Sequence, residues 1–278
     1  MKLPELLHVP AIELIEPNFQ SLISDTYTEE ILLAAGKEAK LVVNEKGWPI
    51  LLALKSGETW SGAVFVLRAP VIEIIEKFEG IDGETIEIDT ESLIKAVREY
   101  YLDILCADVP PAIDDFSADR AEKVKGLLAE VWGNGAGENC LDCGCGSGLG
   151  AVALRSLGYT PVCCDIDPAL LALGISKERL KKEETMCVDA RYASCYLPPC
   201  PYGLALMAGT INDFTAYIWQ EVLGELVETC EQVLITVESE KEAQMVSSWL
   251  AAEDRKITIF ENERDAFYDR WVCLITPA

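Results

Sequence analysis

The stretch "CLDCGCGSGLGAVAL", Cys140–Leu154, sets a short apolar run before a turn in which Gly144, Gly146 and Gly148 alternate, and a helical pattern follows. Glycine at alternate positions lets backbone approach a ligand where a Cβ would collide, as in the strand–turn–helix unit of nucleotide-binding sheets. The same letters satisfy G-x-G-x-x-A over Gly146–Ala151, a dinucleotide fingerprint. A purely structural turn is the third reading. Asp142, at the mouth of the turn, bears on the choice. Against a pyrophosphate, a carboxylate about 4 Å away would cost about 4 kcal/mol at an effective dielectric near 20. A ligand with an ammonium group and no phosphate would be attracted.

Outward from this turn, apolar runs alternate with amphipathic stretches. Strands are expected near Asn139–Cys143, Thr160–Cys164, Thr185–Val188, Leu204–Ala208 and Gln232–Val237, with helices near Leu149–Leu157, Pro168–Lys181, Asp213–Cys230 and Glu240–Leu250. The last two strands, Lys256–Phe260 and Trp271–Thr276, have no room for a helix between them and should pair antiparallel. The expected fold is therefore α/β: a Rossmann-like mixed sheet of about seven strands, mostly parallel, with a terminal antiparallel hairpin. It would occupy residues 118–278. Residues 1–117 read as an additional N-terminal α+β region that forms part of an acceptor pocket or a dimer contact. That region has a hairpin turning near Glu45–Gly47, strands near Trp60–Leu67 and Glu84–Ile88, and a helix after Thr90. Pro110 and Pro111 mark a linker over Asp108–Phe116, and Ser117 is placed to cap the next helix.

On these residues the chain resembles the class I S-adenosylmethionine-dependent methyltransferases. Their first motif, apolar-Asp/Glu-x-G-x-G-x-G, is met by Leu141–Gly148. The resemblance implies that Asp142, Gly144, Gly146, Ser147 and Gly148 wrap the methionine part of the cofactor. In "PVCCDIDP" it gives Asp165 to the ribose hydroxyls and Ile166 to the adenine face, while Asp167 with Pro168 reads as a helix start. In "CVDARY" it gives Asp189 to the adenine amino group and the Ala190 backbone N–H to the ring. The implied cofactor is S-adenosyl-L-methionine, with S-adenosyl-L-homocysteine as product.

Acceptor-side groups belong beyond the fourth strand, at the carboxyl edge of the sheet. That stretch is "MAGTINDF": Gly209 is assigned to the cofactor, and Thr210, Asn212, Asp213 and Phe214 face the acceptor. Asn212 and Asp213 are the candidate catalytic groups, as base or orienting residue, and either reads equally well as a cap of the following helix. Tyr192 and Phe116 are candidates to cover the cofactor, with ordinary packing as the alternative. The Asp/Asn-Pro-Pro-aromatic run of nucleobase aminomethyltransferases is absent, and Pro199-Cys200 precedes the fourth strand, out of place for a cytosine-C5 nucleophile.

With 47 acidic against 23 basic residues the net charge is −24, which repels polyphosphate. A small-molecule or protein acceptor is favoured over nucleic acid, which is not excluded. Eleven cysteines, an odd number, with His8 the sole histidine, fit free thiols in a reducing cytoplasm better than disulfides or a metal site. No apolar run is long enough for a membrane span, and a homodimer stays open. Nicotinamide-dependent oxidoreduction and a non-catalytic S-adenosylmethionine-binding module are the alternative functions.

Overall fold

The computed structural model describes residues 1–278 except Asp115, Thr210 and Glu253, and the chain divides into two compact units, Met1–Ile104 and Leu105–Ala278. Among the described residues no helix is long and apolar enough to cross a membrane.

The first unit runs α1 (Leu3–Leu6), β1 (Glu13–Leu14), α2 (Thr26–Leu33), β2 (Glu38–Val43), β3 (Pro49–Ser56), β4 (Thr59–Val64), α3 (Ile72–Glu79), β5 (Asp82–Glu87) and α4 (Thr90–Asp108), the last continuing past the unit's boundary. Its sheet has the order β1-β4-β3-β2-β5. The β2–β3–β4 meander is antiparallel, and β1 and β5 add as parallel edge strands. Ile31, Leu41, Leu52, Leu54 and Ile74 form the core between sheet and helices. Beneath β4, Arg68 and Glu16 form a buried pair at 2.5 Å, their side chains 2% and 0% exposed. Arg68 also donates to the Thr28 hydroxyl at 3.0 Å and the Leu22 carbonyl at 2.8 Å. Glu16 accepts the Val64 N–H at 3.1 Å, and its carbonyl takes the Tyr101 hydroxyl at 2.8 Å.

The second unit runs α5 (Ala118–Val131), β6 (Asn139–Cys143), α6 (Leu149–Ser156), β7 (Thr160–Asp165), α7 (Pro168–Ser176), β8 (Thr185–Cys187), β9 (Cys200–Ala205), α8 (Ala216–Thr229), β10 (Cys230–Val237), α9 (Glu240–Leu250), β11 (Arg255–Glu261) and β12 (Trp271–Pro277). It is a Rossmann-like mixed α/β sheet of seven strands in the order β11-β12-β10-β9-β6-β7-β8. The strands from β8 to β10 pair parallel; β12 inserts antiparallel beside β10, with β11 outside it. The order reverses between β6 and β9, and ligands of open α/β sheets bind at that switch point, outside the carboxyl ends of the strands. Because successive strand residues face opposite sides, Leu204 and Val272 pack with Val124, Leu128 and Leu154 of α5 and α6. Their neighbours meet the other helices: Gly203 abuts Leu226 of α8 and Cys230, the residue that follows it, and the Cys273 thiol lies 3.5 Å from the Ala243 carbonyl of α9. Ser117 caps α5 by accepting the Arg120 N–H.

Two elements depart from the pattern of the sequence. The fourth strand of this sheet, expected at Leu204–Ala208, is β9, which starts at Cys200 and ends at Ala205. Gly203 looks like a breaker, yet it is a strand residue where a helix comes close: a Cβ there would lie 2.8 Å from Cys230 Sγ and 2.9 Å from Leu226 Cδ1. The strand stops early because Met207 takes the left-handed backbone, φ +48°. The helix expected over Pro168–Lys181 ends at Ser176. Glu178 turns left-handed, and the Arg179 and Leu180 N–H groups both fold back onto the Gly174 carbonyl. Leu180 thereby packs against Gly148 and Gly174.

Candidate functional site

The turn after β6 has the backbone that its glycines foretell. Gly144, Gly146 and Gly148 lie at φ +68°, +51° and +91°, which side chains rarely adopt. The Gly144 and Cys145 N–H groups anchor the turn to the Cys164 carbonyl of β7 at 2.9 and 3.0 Å. The Asp165 carboxylate holds it from the front: Oδ2 accepts the Gly146 N–H at 2.8 Å and Oδ1 the Asp167 N–H at 2.8 Å. Asp167 is a helix cap, accepting the Ala169 and Leu170 N–H groups ahead of α7.

Behind the turn lies Asp142, 1% exposed. Its carboxylate sits against the first turn of α6, where a Cβ on Gly150 would fall 2.7 Å from each of its oxygens. Oδ2 has no hydrogen-bond partner among the described residues. Burial, with the charge of Asp165 added, pushes the Asp142 carboxyl up to about 7, against the opposing pull of the Ala151 N–H and Arg155. The folded state thus prefers Asp142 protonated. Its stabilising share is complete below the unfolded pKa near 4 and is lost as pH rises to about 7. Asp165 is also raised, by burial first, despite its backbone hydrogen bonds. Gly150→Ala should displace this carboxylate and cost about 1–3 kcal/mol as an overpacking change. A melting temperature within one degree of wild type would contradict the crowding.

In front of these groups is a cavity of about 430 Å³, within the range of small-ligand sites. Asp142, Gly144, Gly146, Ser147 and Asp165 line it. Gly148 shapes the turn from behind, its would-be Cβ 2.9 Å from Leu180. Phe116 and Ser117 border the cavity from the start of α5. Phe116 lies against the Arg179 guanidinium at 4.6 Å, and Arg179 reaches Asp114 at 2.8 Å and the Ser147 hydroxyl at 3.4 Å. Cys145 also lines the cavity, but a hydrogen bond to Cys163 and burial raise its thiol well above the ordinary value, so it is no thiolate nucleophile at neutral pH.

The remaining expected residues fall elsewhere. Ile166, Asp189, Ala190 and Gly209 are not among the described residues that line this cavity. Ile166 is exposed. Asp189 is engaged by Arg191, which donates from its backbone at 3.0 Å and from Nη2 at 2.6 Å, and this pairing holds the carboxyl below its ordinary value. Ala190 opens the short 3-10 turn that Asp189 caps. Gly209 faces Trp219, whose ring a Cβ would approach to 2.7 Å. Asn212 folds back to accept the Phe214 N–H at 2.9 Å, and Asp213 is exposed. Helix α8 starts at Ala216 with Thr215 in the cap position, so neither Asn212 nor Asp213 caps it. Thr210 lies outside the described residues. Tyr192 is exposed and away from the lining, and Cys200 is a buried residue opening β9.

Among the lining residues that carried no signal in the glycine motifs are Arg120, Met207 and Tyr268. They are joined by a buried polar chain. Arg120 donates from Nε and Nη2 to Asp269 at 2.8 and 3.2 Å; the Thr236 hydroxyl donates to Asp269 at 2.6 Å and accepts the Met207 N–H at 2.7 Å. The Arg120 guanidinium stacks on Tyr268 at 4.9 Å. Among the described residues no group of three or more His, Cys, Asp or Glu side chains is arranged to hold a metal ion.

No protein-family model matches the chain, and no curated protein does. Among solved structures, magnesium protoporphyrin IX methyltransferase from Synechocystis PCC 6803, with bound SAM, aligns at TM-score 0.45 and 13% identity, over 68% of this chain and 98% of that one. A putative rRNA-methylase from Clostridium thermocellum aligns at 0.44 and 12%, over 59% and 98%. Precorrin 8W decarboxylase from Methanobacterium thermoautotrophicum aligns at 0.39 and 19%, over 61% and 92%.

Proposed function

We propose that this chain is an S-adenosylmethionine-dependent methyltransferase. The observation that carries the reading is the buried Asp142 carboxylate, with one oxygen unpartnered, beneath a glycine turn that opens on a nucleoside-sized cavity. A dinucleotide's pyrophosphate would meet Asp142 and Asp165 together. An amino-acid ammonium next to Asp142, with ribose hydroxyls at Asp165, turns both carboxylates into attractive partners. The lone-pair sites of Asp165 not taken by Gly146 and Asp167 suit a diol, since a carboxylate offers about four. Asp189 is a weaker candidate for an adenine contact, because Arg191 already occupies it.

When bound, the cofactor supplies a methyl group on an electrophilic sulfonium. The chain's own part is to hold that group and the acceptor in line and keep water out, for which proximity and orientation supply about 7–11 kcal/mol of barrier reduction. Met207 and Tyr268, which line the cavity and are partly exposed, are placed to contact the acceptor. Asn212 and Asp213 remain candidates for orienting it only if their loop turns inward. The net charge of −24, and the neutralisation of Arg120 by Asp269 and of Arg191 by Asp189 and Glu221, favour a small-molecule or protein acceptor over nucleic acid. No disulfide joins the described cysteines, which suits a reducing, cytoplasmic setting.

Calorimetric titration with S-adenosylhomocysteine and with NADH tests the reading. Binding of NADH but not of S-adenosylhomocysteine would refute it; transfer of a radiolabelled methyl group into fractionated cell extract would establish turnover. A pH signature follows from Asp142. A ligand ammonium favours the ionised carboxyl, so affinity should rise with pH through about 7 and level off above it. Between pH 6 and pH 8 the gain should be about tenfold, the share of Asp142 already ionised changing by that much. Asp142→Asn should flatten the profile; an unchanged slope in that variant would place the titrating group elsewhere.

A further inference from the structure

We infer that Arg120 is the anchor for the carboxylate of the cofactor's amino-acid end, and that Asp269 positions it. The inference rests on the cofactor reading above. Among the described residues lining the cavity, the acids are Asp142 and Asp165, and Arg120 is the one cation. Such a lining suits a ligand with a positive and a negative end, and an α-amino acid has both on one carbon. With the ammonium at Asp142, the carboxylate needs a cationic partner on the same cavity wall system, and Arg120 supplies it.

The way Arg120 is held leaves it able to do so. A guanidinium presents N–H donors along more than one edge. Asp269, whose side chain is 1% exposed, takes the Nε/Nη2 edge, with oxygens at 2.8 and 3.2 Å. No hydrogen bond from Nη1 to a described residue is present, which leaves the Nη1/Nη2 edge for a second, bidentate carboxylate. Stacking on Tyr268 fixes the guanidinium plane, and the Thr236 hydroxyl holds Asp269 from the other side at 2.6 Å. Ser117, the cap of α5, also lines the cavity, so the positive end of that helix dipole lies on the same side. Lysine could satisfy Asp269 but would lose the planar fork.

Two thioether nucleosides separate this role from a merely structural one. S-adenosylhomocysteine carries the amino-acid end; 5′-methylthioadenosine lacks it and keeps the ribose and adenine. Arg120→Lys should weaken S-adenosylhomocysteine at least tenfold while changing 5′-methylthioadenosine less than twofold, both by calorimetry. The double variant Arg120→Met/Asp269→Asn, which leaves no lone buried charge, should show the same split if the single variant is poorly folded. Equal losses for both nucleosides, or no loss for either, would overturn the assignment. If wild-type protein binds neither, the cofactor reading itself fails, before Arg120 comes into question.

Discussion

Arg68→Met should destabilise the first unit by about 3–5 kcal/mol, the usual cost of removing one partner from a buried ion pair. The size follows from what is left behind. Glu16 is 1% exposed, and its Oε2 already has no hydrogen-bond partner among the described residues. Without the guanidinium, Oε1 keeps only the Val64 N–H, and Thr28 and Leu22 each lose a donor. Hydrogen exchange at the β3 and β4 amides reads this unit separately from the rest of the chain, and protection there should fall with the variant. Adding Glu16→Gln should restore most of it, because a neutral amide removes the stranded charge and can still accept from Val64. A loss below about 1 kcal/mol in the single variant would mean that water reaches Glu16 after all.

The second large effect is on ligand affinity. Asp165→Ala should weaken S-adenosylhomocysteine by about 2–4 kcal/mol, thirtyfold or more, since hydrogen bonds to a charged group contribute about 1.5–3 kcal/mol each and two ribose hydroxyls are at stake. The same carboxylate restrains the turn through the Gly146 N–H at 2.8 Å. Asp165→Asn separates the two functions in large part: its carbonyl can still accept from Gly146, while the charge and the acceptor for the Asp167 N–H are gone. The asparagine variant, which loses only the Asp167 N–H, should melt closer to wild type than the alanine variant and lose part of the affinity. Affinity unchanged in both variants would mean that the ribose sits elsewhere.

Much of the second unit was legible because its signals are local. The strand Asn139–Cys143 and the helix Glu240–Leu250 follow from apolar period and capping alone, and Ser239 with Glu242 forms the capping box that starts the latter. The terminal hairpin follows from a connection too short for a crossover. What could not be read depends on partners distant in sequence. Gly203 looks like a break until α8 is laid on it, and the end of α7 is set by Leu180 finding a place between two glycines. At the site, Asp142, Asp165 and the glycine turn stand out as a motif. Arg120 lies in an ordinary amphipathic helix, and its partner Asp269 is 149 residues away, in a connection that reads as a polar loop. The engagement of Asp189 by Arg191 was written two positions along, in "DARY", where a neighbouring acid and base compete with any ligand for each other.

The fold-back after α7 ties the ligand turn to a helix that never touches it in sequence. Leu180 is the peg, and Gly148 and Gly174 are the two halves of its socket: a Cβ on Gly148 would stand 2.9 Å from Leu180 Cδ2, and one on Gly174 2.5 Å from Leu180 Cδ1. Neither half can acquire a side chain without ejecting the peg. A change as small as one methyl at position 174, whose Cβ would also fall 2.9 Å from the Ser147 carbonyl, therefore strikes the ligand turn twice, at Ser147 directly and at Gly148 through Leu180.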